Sequence, residues 1–141
     1  MGKAIVIDRT IKQSILDIIE LLVIPGEINI EHNDIKAIIC QQGPVLISTG
    51  GGTGKDRVLK ACHDALTNPW KDTTIKAATK VLVNITGPSD LLLKEVNEAL
   101  NIVRESVSLG AEVIFGVARD SNLHNQARVT LLASATEHGN V

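Results

Sequence analysis

Apolar side chains recur at Ile11, Ile15, Ile18, Ile19 and Leu22, the three-and-four spacing that lines one face of a helix. Pro25-Gly26 stops that helix. A polar, acidic stretch follows over residues 27–34, and Asn33 or Asp34 is placed to cap a short helix running to about Gln41. Gly43-Pro44 is a turn, and residues 45–49 form a short buried strand. The run Gly50-Gly51-Gly52-Thr53-Gly54 is expected to be a flexible connection into a second main helix. That helix carries Val58, Leu59, Cys62, Ala65 and Leu66 on one face and ends at Asn68-Pro69.

Residues 80–86 read as a strand, and Gly87-Pro88-Ser89-Asp90 as a turn with capping residues. A long helix then turns Leu92, Val96, Ala99, Leu100 and Val103 inward and ends near Gly110. Residues 113–118 are almost all apolar, the pattern of a strand covered on both faces. A polar loop over 120–126 leads to a last strand at 128–135, with a frayed tail beyond. Strands alternating with helices, though not strictly, predict an α+β domain in two layers: a mixed sheet of about four strands with helices packed on it. The first helix is the element placed to project from the body.

Composition adds constraints. The 141 residues suffice for one domain with a sizeable core. Hydrophobic residues make up 44% of the chain, yet Trp70 and Phe115 are its only aromatics, so Ile, Leu, Val and Ala must build the core. A net charge of −2 and the lack of a stacking platform argue against nucleic acid as a partner. No basic amphipathic segment suggests direct membrane contact. No apolar run approaches the roughly 20 residues that cross a bilayer, and residues 1–9 lack the pattern of a leader, so a cytoplasmic chain is expected. Cys40 and Cys62 fit no paired motif and read as buried reduced thiols. His32, His63, His124 and His138 show no metal-ligand spacing, and no metal site is expected.

Two constellations could carry chemistry. The glycine run at 50–54 looks like a phosphate cradle, since glycines let backbone amides approach an anion and a helix follows. The phosphate-loop pattern needs glycine where Thr49 stands and Ser or Thr where Asp56 stands, and a carboxylate there repels phosphate. A strand-to-helix connection without ligand is the preferred reading. The second constellation is Asn29, Glu31 and Asp34, within six residues of one another after the Pro-Gly stop. Carboxylates this close can orient a water molecule. The residues alone leave that open against an ordinary polar turn with a capping side chain.

The stretch Pro25-Gly26-Glu27-Ile28-Asn29-Ile30-Glu31-His32-Asn33-Asp34 resembles the synergy loop of the FtsZ family, whose pattern is Pro-Gly-x-x-Asn-x-Asp-x-x-Asp. The likeness continues through Thr49-Gly50, Gly54 and Asp56-Arg57. It extends to Asn84-Ile85-Thr86-Gly87, Glu95-Val96-Asn97-Glu98-Ala99, Ile114-Phe115-Gly116 and Arg128-Val129-Thr130. It implies that residues 1–24 are the end of a long central helix, 25–135 the C-terminal domain and 136–141 a tail. It also implies that Asn29, Glu31 and Asp34 act in trans, completing the GTPase site of an adjoining filament subunit. GTP and magnesium would then be held by a partner's nucleotide-binding domain, which lies outside these 141 residues, and by nothing in this chain.

Expected partners are accordingly that domain or full-length FtsZ, with a homodimer through the first helix as a further possibility. Two other readings stay open. One is a stand-alone regulator that caps filaments. The other, ranked last, is a small-molecule enzyme on the same fold; its one adjacent pair of reactive groups, Cys62 and His63, points apart on a helix. Glu31 stands where the family has Asp, which moves the carboxylate by about 1.5 Å, one carbon–carbon bond. A slower or silent loop is the expected result.

Overall fold

A computed structural model describes residues 3–7, 38, 45–67, 78–107 and 110–135. The described residues include seven elements in chain order: β1 (Lys3–Ile7), β2 (Val45–Thr53), α1 (Arg57–Thr67), β3 (Ala78–Gly87), α2 (Leu93–Ser106), β4 (Glu112–Arg119) and β5 (Gln126–Ala135). The strands form one sheet in the order β1-β2-β5-β3-β4. Among the described residues only β3 and β4 run parallel, joined through α2; the other pairings are antiparallel. The fold is the expected mixed α+β arrangement.

Side-chain alternation sorts the sheet into two faces. Val81, Val83 and Ile85 of β3 and Val129, Leu131 and Ala133 of β5 join one core cluster. Val58, Ala61, Cys62 and Ala65 of α1 and Val96, Ala99, Leu100 and Val103 of α2 complete it, so both helices lie on this face. The opposite face of β3 is buried as well, at Leu82, Asn84 and Thr86. Asn84 Nδ2 donates to Thr86 Oγ1 at 3.5 Å there. A central strand buried on both faces accommodates apolar residues at successive positions, as at Val81, Leu82 and Val83. Ile38, in a helical conformation, is also fully buried.

Several expectations need correction. β1 is a fifth strand, and it falls inside the 1–24 segment assigned to the end of a helix; the rest of that segment lies outside the described residues. β2 does not stop at Thr49 but runs on through the glycines to Thr53. β4 is an edge strand of the sheet among the described residues, and the two-faced coverage read for 113–118 holds at Gly116, Val117 and Ala118, while Val113, Ile114 and Phe115 are half-exposed. α2 ends at Ser106, short of Gly110. Its N-cap Leu92 is 61% exposed, and Leu91, at 2%, is the leucine that enters the core.

Candidate functional site

The carboxyl ends of β2, β3 and β4 gather three connections at one end of the sheet, and Arg57 stands at their centre. Arg57 opens α1, whose first turn contains no acidic residue. A cation at a helix N-terminus opposes the helix dipole and needs compensation from elsewhere. Glu95 of α2 supplies it. Arg57 Nε donates to Glu95 Oε1 at 3.0 Å and Nη2 to Oε2 at 3.1 Å, a two-pronged pair. Nη2 also meets Asp90 Oδ1 at 3.1 Å, and Nη1 donates to Asn125 Oδ1 at 3.2 Å. The Arg57 side chain is 8% exposed, and the Glu95 hydrogen bond holds its guanidinium above the ordinary arginine value.

The same carboxylate has a second task. Glu95 Oε2 accepts from the Leu92 amide at 2.9 Å, the back-reaching half of a capping box. Neither Ser89 nor Asp90 is the cap that the turn sequence suggested. Asn125, in the left-handed region at φ 58°, a conformation that Asn tolerates, accepts from the Gly54 amide through its carbonyl at 3.0 Å. Arg119 Nη1 donates to the Ser89 and Leu91 carbonyls. All three Arg57 nitrogens are engaged within the protein, so the cluster clasps three loops together and presents no arginine to a ligand.

A hollow beside the clasp is lined by Asp56, Val58, Leu59, Glu95 and Glu98 and has a volume of about 40 Å³. Small-molecule sites run to roughly 300–1,000 Å³. Three carboxylates around so small a space also oppose a phosphate. The hollow adds nothing to the small-molecule enzyme reading.

The glycine run is occupied from within. A Cβ on Gly50 would overlap the Ala61 carbonyl oxygen and the Ala65 amide, and one on Gly52 the Arg57 carbonyl oxygen. α1 therefore lies directly on these two residues, in the space a side chain would take. Between them, the Gly51 amide donates to Asp64 Oδ2 at 3.1 Å, so a carboxylate of the protein already sits where an anion would bind. Gly50, Gly51 and Gly52 pair in register with Val129, Arg128 and Ala127 of β5. The run is an ordered strand made of glycine to seat a helix, neither a flexible link nor a phosphate loop.

Asn29, Glu31 and Asp34 lie outside the described residues, as do Cys40 and the first helix. Cys62 is a free, buried thiol, pushed up to about 12 by burial and therefore neutral. His63, next to it, is exposed, so the two do not form a reactive pair. Among the described residues, no three His, Cys, Asp or Glu side chains form a group able to hold a metal ion. No described helix is long and apolar enough to cross a membrane.

Sequence reasoning missed the Arg57 clasp. Two signals pointed to it: a basic residue in a helix's first turn, and Glu95 at the third position of the next helix, where a capping carboxylate belongs.

Residues 43–137 match the family described as "FtsZ family, C-terminal domain". Among curated relatives, the "Cell division protein FtsZ" of Caulobacter vibrioides is 36% identical over 135 residues, covering 95% of this chain and 27% of the relative. The protein of the same name from Wolbachia pipientis is 36% identical over 134 residues, covering 94% of this chain and 42% of the relative. The chain thus spans less than half the length of either. A solved structure described as "FtsZ dimer, empty (M. jannaschii)" superposes with a TM-score of 0.71 at 32% identity, over 86% of this chain and 35% of that one. CetZ from Methanosaeta thermophila shares the fold, with a TM-score of 0.57 at 15% identity over 91% of this chain and 36% of its own. A sheet of this order, two helices seated on one face and a family match over most of the chain lead to one conclusion: the chain belongs to the FtsZ family of cell-division proteins, as its C-terminal domain.

Proposed function

We propose that this chain is the polymerisation half of an FtsZ-type GTPase. In this reading Asn29, Glu31 and Asp34 complete the GTP hydrolysis site of the adjoining subunit in a filament. The supporting observation is continuity. The acidic run at residues 25–34 stands directly ahead of residues 43–137, which match the family's C-terminal domain, as it does in the family pattern. Gly50, Gly51 and Gly52 cannot serve as a nucleotide cradle, since α1 and Asp64 occupy them, so GTP and magnesium fall to the neighbour's nucleotide-binding domain. Glu31 and Asp34 orient the attacking water, and Asn29 hydrogen-bonds beside the phosphates. Positioning and charge placement supply most of the catalysis in phosphoryl transfer, so a loop of this kind is sufficient as one half of a site.

The test joins this chain to an FtsZ nucleotide-binding domain and measures GTP turnover. Asp34→Asn should lower turnover at least roughly a hundredfold, on the scale of a misplaced catalytic group, with the fold unchanged by circular dichroism. Unchanged turnover sinks the assignment.

Glu31 favours a second reading. It stands one methylene longer than the family's Asp, and a cap has no need to hydrolyse anything. As a filament cap, the chain added to full-length FtsZ should remove pelletable polymer and GTP turnover together at substoichiometric ratios. Loss only near equimolar ratios favours the half-site reading, and no effect at high excess removes both docking models.

A further inference from the structure

We draw no further inference here: the strongest candidate, the outer edge of strand β4, which presents half-exposed Val113, Ile114 and Phe115 and has no strand paired to it among the described residues, carries none because nothing in the structure shows what covers it.

Discussion

Arg57 illustrates how one side chain can decide the arrangement of three loops. It is buried, yet its charge is met by Glu95 and Asp90 and its remaining donors by Asn125 and a carbonyl. Glu95 keeps 21% and Asp90 80% of its side chain exposed, so removing Arg57 costs chiefly its charge-assisted hydrogen bonds, about 1.5–3 kcal/mol. Arg57→Ala should lose that much in denaturant unfolding. Arg57→Lys should recover only part, because an ammonium cannot make the two-pronged contact. A double-mutant cycle with Glu95→Gln should show a coupling of about 0.5–3 kcal/mol, and additive effects would mean the clasp is ornamental. The glycines give a sharper contrast. Gly50→Ala and Gly52→Ala put a methyl against helix backbone, which cannot rotate away, so each should cost about 3 kcal/mol or more. Gly51→Ala meets nothing closer than 3.9 Å and should be tolerated far better in the same unfolding experiment.

At the scale of elements, the helices and strands with strong periodicity were legible and their ends were not. The core faces of α1 and α2 follow from Val58, Cys62 and Ala65 and from Val96, Ala99, Leu100 and Val103, all of which are buried. The error at the start of α2 came from three consecutive leucines, of which helical spacing alone cannot say which is the first inside. The structure selects Leu91, whose side chain packs against Gly87 and is held by the turn that Arg119 braces. Leu91→Ala should therefore cost about 2–5 kcal/mol. Leu93→Ser, at an exposed position, should stay within about 0.5 kcal/mol, and Leu92→Ser, which puts a capping hydroxyl at the N-cap of α2, should cost nothing or stabilise. Thermal unfolding of the three variants separates these outcomes. β2 was read too short because glycine is a poor strand former by propensity. What overrides propensity is tertiary: only a residue without a side chain lets α1 approach the sheet so closely. The clasp was hidden for a similar reason, since Arg57 and Glu95 are 38 residues apart and no local pattern joins them. Asn29, Glu31 and Asp34 rest on a resemblance alone and lie outside the described residues, for three polar residues in sequence have no chemistry of their own until a partner surface is set against them.

At the largest scale, the described helices α1 and α2 lie on one face of the sheet, and the carboxyl ends of β2, β3 and β4 meet at the clasp. β2 and β3 do not touch as neighbours; β5 lies between them, antiparallel to both. The last described strand is thus the middle strand of the sheet. During synthesis, β2 with α1 and β3 with α2 and β4 emerge as two halves that have no ladder in common. Backbone groups along their facing edges stay unpaired, and the apolar residues of those edges stay wet, until Gln126 and its successors leave the ribosome. Completion of the sheet is then a long-range event that closes both gaps at once, the kind of step that sets a slow folding rate. A nascent chain of this topology passes through an incomplete sheet with open edges, and it is during that interval, rather than in the finished domain, that it is most exposed to mispairing with another copy of itself.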